Sequence, residues 1–438
     1  MKFSKKNYNI WKKAKKIIPG GNTLISKRPE LFLPIYWPTY FSKAKGCFVW
    51  DLYGKKYYDF SLMGVGTNIL GYSNSKIDKK IHETIKKGNI STLNCFEEVQ
   101  LSRLLLKINK WADMVKFARS GGEANSISIR IARASTNKQG VAVCGYHGWH
   151  DWYLAANYVK KNKLEKYLLK GLENKGVPKS LKNLIYTFEY NDFDGLKKLI
   201  NKNSNIGIIK MEVSRNFEPK NNFLKKIKNL CKKKKLILIF DECTSGFRET
   251  FGGIHKKYKV LPDIAIYGKA LGNGYAITAV VGRKKYMRNA KKTFISSTFW
   301  SERIGYVAAI ETLRLMQREK TWIKISQIGE NIKEEWRKIF SKYNFDISIS
   351  GLKSIPSFNF KNKNRERVTF ITQEMLKKKY LAGNTIFAST AHKKKYLKNY
   401  FSTLDKVVSK LHNFEKNKTN IKNKILGPLK FEGFKRLN

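Results

Sequence analysis

The sequence predicts an α/β protein, a large doubly wound, mainly parallel sheet domain joined to a smaller α+β domain. Three observations predict it. The chain has 438 residues, too many for one simple core and enough for two or three domains. From about residue 100 to 310, short apolar runs alternate with helical periodicity, the pattern of parallel strands joined by crossover helices. After about 310 the alternation gives way to a long helix, two short strands and two more helices.

The elements follow in order. Met1 to Ile18 is basic and lacks the continuous apolar core of a signal peptide. Its Ile10, Trp11, Ala14, Ile17 and Ile18 fall at helical spacing, as on a short amphipathic helix that breaks at Pro19-Gly20-Gly21. Val49 to Tyr57 reads as a hairpin turning near Gly54. Strands are expected at Met114–Arg119, Val141–Gly145, Ile206–Val213, Leu236–Phe240, Ile264–Tyr267 and Ala276–Gly282. Between the first two, Ala124, Ile127, Ile131 and Ala134 recur on one face of a helix over Glu123–Ala134. Later strands are expected near Asp346–Ser350 and Pro356–Phe360, and the basic tail after Lys416 is expected to be mobile. The domains are then 1–58, a segment packing with the small domain; 59–310, the large domain; and 311–438, the small domain.

Composition excludes some classes. No run reaches the roughly 18 apolar residues of a membrane helix, so a cytoplasmic protein with no membrane partner is expected. The five cysteines, Cys47, Cys95, Cys144, Cys231 and Cys243, form no C-x-x-C pair, which fits neither a zinc site nor a disulfide framework. The net charge of +55 invites a nucleic-acid partner. Its basic residues are spread from Lys2 to Arg436 with no nucleic-acid-binding motif, so lysine on solvated faces is the preferred reading.

Four segments sit where open α/β sheets place their ligands, at the carboxyl ends of strands. Arg119-Ser120-Gly121-Gly122-Glu123-Ala124 joins a strand to a helix, and its small residues let backbone N–H groups approach a phosphate; a plain tight turn is the commoner use. Gly145-Tyr146-His147-Gly148 sets an aromatic ring at a strand end, where it lies on a planar cofactor or simply closes the core. His147 and His150 suggest a metal, but no spaced carboxylate set accompanies them. Asp241-Glu242 ends a buried strand. A carboxylate there pairs with a protonated pyridine nitrogen or holds magnesium, and the magnesium rival needs a G-x-x-x-x-G-K-[ST] loop that is absent. Tyr267-Gly268-Lys269 follows another buried strand, 28 residues after Asp241, with glycines that admit a ligand. Desolvation there frees the Lys269 amine for Schiff-base chemistry.

Phosphate cradle, stacking aromatic, buried acid and strand-end lysine together describe a site for pyridoxal 5′-phosphate. On these motifs, with Ile18-Pro19-Gly20-Gly21, Gly246-Phe247-Arg248 and Ser297-Thr298-Phe299, the chain resembles the class III aminotransferases of fold type I, especially glutamate-1-semialdehyde 2,1-aminomutase-like proteins. The resemblance implies that Lys269 carries the cofactor as a Schiff base and shuttles a proton, and that Asp241 pairs with the ring nitrogen. It implies that Tyr146 and Cys243 cover the two ring faces, Gly121 and Gly122 hold the phosphate, and Glu212 lies near the ring substituents. Thr298 would reach the phosphate of a partner subunit in a homodimer with shared active sites.

The chain departs from the family at several positions. Gly122 stands where Ser or Thr is usual, Cys243 where Val is usual, and Ser301-Glu302 where Asn-Pro is common. The mutase's glycine-serine loop has no counterpart in Trp152–Lys160, its arginine is matched by Arg28 one residue out of register, and its glutamate has no match in Gly383–His392. The cofactor chemistry is thus expected to be intact. Arg28, and beside it Arg248 and Arg303, are the candidates for binding a substrate carboxylate or phosphate, a surface or structural ion pair being the commoner use of each. The expected activity is transamination between a small-molecule amino donor and a carbonyl acceptor. The alternatives are the aminomutase and, remotely, a non-catalytic polyanion-binding protein on the same fold.

Overall fold

The computed structural model describes residues 6–158 and 174–431. The described residues form two compact units, one of 6–74 with 324–431 and one of 75–158 with 174–323. The sequence placed the divisions at 58 and 310; hydrogen bonding moves the first and helix packing the second. Phe387 N donates to Ser61 O and Thr390 N to Ile69 O, which keeps residues 59–74 with the first unit. The Arg303–Glu319 helix packs on the helices Ser75–Ile85 and Phe96–Ile108, which keeps it with the second.

In the first unit, β1 (Phe41–Lys45), β2 (Phe48–Asp51) and β3 (Lys56–Phe60) form an antiparallel meander. The expected hairpin is β2–β3, and Gly54 supplies its left-handed turn at φ 73°. The helix Lys6–Ile17 buries Asn7, Trp11 and Ala14. Ile17 and Ile18 are exposed, against expectation, because the helix ends there and the chain turns away at Gly20 and Gly21. An added Cβ at Gly21 (φ 82°) would lie 2.5 Å from the Trp11 ring, so glycine is what lets the turn close over that ring.

The second unit carries seven strands: β4 (Met114–Ala118), β5 (Gly140–Cys144), β6 (Ile185–Thr187), β7 (Ile206–Glu212), β8 (Ile237–Glu242), β9 (Ile264–Tyr267) and β10 (Thr278–Gly282). Their order is β4-β10-β9-β8-β7-β5-β6, and β10 alone runs antiparallel to its neighbours. Every residue of β5 to β10 is buried, which is why these strands read as continuous apolar runs without alternation. β6 escaped the sequence reading because three residues are too short to show a pattern. The helix after β4 is Gly121–Thr136, two residues earlier than expected at its start. Ser120 is its N-cap, in a capping box with Glu123.

Returning to the first unit, β11 (Ile347–Ser350) pairs with β12 (Ser357–Phe360), and β13 (Tyr380–Ala382) joins β3 in parallel. One core packs Phe60, Trp336, Phe358 and Tyr400 among the helices Asn364–Lys377 and Lys394–Lys416. The tail expected to be mobile is tied down as far as Phe431. Leu426 N donates to Gln373 Oε1, Phe431 N donates to Glu30 O, and Ile421 is buried.

Candidate active site

Successive residues of a strand face opposite sides of a sheet, so Asp241 and Glu242 at the end of β8 have different surroundings. Glu242 accepts from Ser245 Oγ, from the backbone N–H of Ile254 and His255, and meets His255 Nδ1 at 2.9 Å. It fixes the 243–255 loop. Asp241 instead meets His147 Nδ1 at 2.8 Å and accepts from Cys243 N at 3.1 Å. The opposite ring nitrogen of His147, Nε2, donates to Cys144 O at 3.2 Å. Burial alone would raise the Asp241 carboxyl; the His147 hydrogen bond and charge, then Lys210, outweigh it and hold the group well below the usual carboxylate range. His147, which the sequence offered as a metal ligand without a carboxylate set and as part of the Tyr146-His147-Gly148 motif, is therefore the partner of the site's carboxylate.

Lys210 is the second residue that sequence reasoning missed. It lies inside β7, fully buried, with Nζ 3.0 Å from Ser128 Oγ and 5.8 Å from the centre of the Trp152 ring. The signal was a lysine inside the otherwise apolar run Ile206–Val213, hidden by the abundance of lysine elsewhere. Burial pushes its amine down to about 8, opposed by the nearby Asp241 charge.

This depression has a pH consequence with a definite sign. Between about 8 and the ordinary value of 10.5, the unfolded chain holds a proton that the folded chain lacks. Stability therefore rises with pH through that window. At neutral pH the buried charge costs the fold on the order of 3 kcal/mol. Lys210→Met is expected to recover part of that cost and to flatten the rise. Urea unfolding of both proteins at pH 7 and 9.5 checks it, and equal pH slopes would remove Lys210 as the cause.

Lys269 follows β9 and Gly268. It adopts φ 46°, is half-buried, and donates from Nζ to Thr244 Oγ1 at 2.8 Å. Thr244 belongs to the loop that Glu242 anchors, so β8 and β9 fix the amine together. Cys243 Sγ lies 3.2 Å from where a Cβ on Gly268 would stand and 3.5 Å from where one on Gly121 would stand. The ends of β4, β8 and β9 thus meet around one sulfur. Burial, then the Asp241 charge, pushes that thiol well above its usual value, so it remains a protonated, small and apolar cover.

At the start of the Gly121–Thr136 helix, the N–H groups of Gly121 and Gly122 belong to the first turn, which has no intrahelical acceptor. Ser120 Oγ is not available there, because it donates to Glu123 Oε2 and accepts from Glu123 N. Tyr146 is half-buried after β5, and its backbone N–H donates to Glu212 Oε2 at 3.2 Å. Gly145 (φ 109°) allows this approach, since an added Cβ would stand 2.8 Å from the same oxygen. Glu212 pairs in register with Asp241 across β7 and β8, which brings Tyr146, Glu212 and Asp241 to one sheet edge.

Thr298 is exposed, on a segment tied to the same helix start. Arg119 donates to the carbonyls of Phe299, Trp300 and Glu302, and Trp300 Nε1 donates to Glu123 Oε1. Arg28 lies in the other compact unit, its guanidinium against Gly20. Arg248 is buried and donates to Thr244 O; Arg303 makes a two-pronged pair with Glu97. No cluster of three or more potential metal ligands exists among the described residues. Of the Trp152–Lys160 stretch, residues 159 and 160 lie outside those described.

The geometry suits pyridoxal 5′-phosphate. A strand-end amine, an ionised buried carboxylate, a small apolar cover between two glycines and a helix start with open donors match its aldehyde, ring nitrogen, ring face and phosphate. Comparisons with known proteins agree. The family described as aminotransferase class-III matches residues 35–395. The 3-aminobutyryl-CoA aminotransferase of Cloacimonas acidaminovorans is 34% identical over 365 residues, covering 81% of this chain and 84% of that protein. The glutamate-1-semialdehyde 2,1-aminomutase of Sulfurisphaera tokodaii is 28% identical over 428 residues, covering 92% and 99%. Among solved structures, the FumI protein of Sphingopyxis sp. MTA144 in its PLP internal aldimine form superposes with a TM-score of 0.85 at 21% identity, covering 97% of this chain and 100% of that one. An omega-transaminase from Sphaerobacter thermophilus gives 0.81 at 19% identity, covering 92% and 97%.

Proposed function

The chain belongs to the class III aminotransferases, and from that premise we propose that it binds pyridoxal 5′-phosphate at Lys269 and transfers an amino group from an amino donor to a carbonyl acceptor. One observation carries the assignment of residues: the Lys269 amine, the Asp241–His147 pair and the Cys243 sulfur between two glycines converge at neighbouring strand ends. When bound, the cofactor supplies an electron sink conjugated to the carbon that carries the amino group.

The chain's own residues do the rest. Asp241, kept ionised by His147, would present its carboxylate to the ring nitrogen and hold a proton there. Lys269 would be the covalent anchor of the cofactor and the base that moves a proton at the substrate's amino-bearing carbon. The Thr244 hydroxyl orients that amine. Cys243 would cover one ring face, and Tyr146, whose backbone N–H donates to Glu212, would cover the other. The N–H groups of Gly121 and Gly122 would hold the phosphate.

The test is a screen of donors and acceptors on purified, cofactor-loaded protein. An amino donor alone is expected to shift the visible band in one turnover, and a keto acceptor to restore it. Turnover of an amino aldehyde with no donor present would replace transamination by the aminomutase reading, which full-length matches such as the Sulfurisphaera protein support.

The proposal includes a homodimer in which Thr298 reaches the partner's phosphate. Support comes from large exposed apolar side chains on two segments tied together by the hydrogen bond from Arg303 N to Asn89 O. These are Ile90, Leu93 and Phe96 on one, and Phe294 and Phe299 on the other. A solution mass of one chain in the same preparation would remove the shared site. No helix among the described residues is long and apolar enough to cross a membrane, which is compatible with the proposed cytoplasmic location.

A further inference from the structure

The start of the Gly121–Thr136 helix holds an arrangement that the family reading does not use. Gly122 has no side chain, and the space its Cβ would enter is filled by another residue. His150 Cε1 lies 2.5 Å from that point and His150 Nδ1 lies 2.7 Å from it. The imidazole has been brought there by a tight approach, since an added Cβ on Gly148 (φ 101°) would stand 3.0 Å from Gly122 Cα. Trp149 stacks on the ring at 4.4 Å and 26°, and the His150 carbonyl starts the next helical turn by accepting from Tyr153 N and Leu154 N. Nδ1 itself is buried without a hydrogen-bond partner among the described residues. A buried ring nitrogen left open is costly and calls for a ligand. The one hydroxyl of this turn, Ser120, is consumed by Glu123.

We propose that His150 is a phosphate ligand of the cofactor site, its Nδ1–H donating from the space that a side chain at position 122 would occupy. Gly122 and His150 then form one unit: the glycine makes room and the histidine supplies the donor. Glu123 and Asp151 are the acidic groups facing the ring; burial lowers its pKa and these two oppose that. The inference rests on the reading of this helix start as the phosphate end of a pyridoxal phosphate site.

The test compares binding of pyridoxal 5′-phosphate and of pyridoxal, which lacks the phosphate, to cofactor-free full-length protein by absorbance titration. If wild-type protein binds neither, the cofactor reading itself fails. If it binds both and prefers the phosphorylated form, His150→Ala is expected to reduce that preference about 10- to 100-fold, the range of one lost hydrogen bond to a charged group, with pyridoxal affinity unchanged. Gly122→Ser alone is expected to impair phosphate binding, because its side chain meets the imidazole. The double variant Gly122→Ser/His150→Ala is expected to recover most of the preference. An unchanged preference in His150→Ala, an equal loss for both ligands, or Gly122→Ser tolerated equally with and without His150 would overturn the proposal.

Discussion

Replacing Lys269 with alanine is expected to lower amino-group transfer by at least about 10,000-fold, the upper range for a positioned general base. The loss combines two roles that one nitrogen fills, anchor and base. The fold should survive. Lys269 is half-buried, and it donates to Thr244 Oγ1, whose hydroxyl can turn to water. Its left-handed φ of 46° is already borne by a side chain with a Cβ, so alanine adds no backbone strain. The discriminating measurement is borohydride reduction followed by mass analysis of the digested chain. Wild-type protein should retain cofactor mass on the peptide containing Lys269, and Lys269→Ala on none. Lys269→Arg should retain the local positive charge yet fix no cofactor, which separates nucleophilicity from electrostatics. Retained adduct in the alanine variant would move the anchor to another lysine.

Asp241→Asn is expected to cost about 100- to 1,000-fold in kcat, comparable to losing one preorganised electrostatic partner of the reacting system. Asparagine preserves shape and removes charge, so the effect reports the carboxylate itself. It should also reduce stability by about 1–3 kcal/mol, because His147 loses a charged partner in a buried place. The folded Asp241 carboxyl is depressed below its ordinary 3.8, so the stability it lends is fully present above that value. That contribution is lost as pH falls through the lower folded value. Urea midpoints between pH 2 and 5 should therefore fall less steeply in Asp241→Asn than in wild type. An asparagine variant with full turnover would sink the role given to this residue.

Lys269 and Asp241 could be found in the sequence because both end strands buried on two faces. Such strands print as apolar runs, and a charged residue at the end of one is conspicuous. Gly54 was legible for a similar reason, since a hairpin turn imposes local chemistry within a few residues. β6 and β13, three residues each, fell below the length at which a pattern forms. The divisions at 58 and 310 differ from those of the structure because residues 59–74 and the Arg303–Glu319 helix are held by partners distant in the chain, encounters that no local pattern encodes.

The sequence by itself determined the strand-end motifs, the expected cofactor and the lysine proposed to anchor it. Only the tertiary structure decided their partners. His147 meets Asp241 across 94 positions of chain, and Lys210 meets Ser128 across 82. His150 enters the space left by Gly122 only because the turn after β5 folds against the helix start after β4. The physical reason is one of range. Strand burial and caps are set by neighbours in the chain, whereas the charge state of a buried carboxylate is set by whichever groups the fold delivers within a few ångströms.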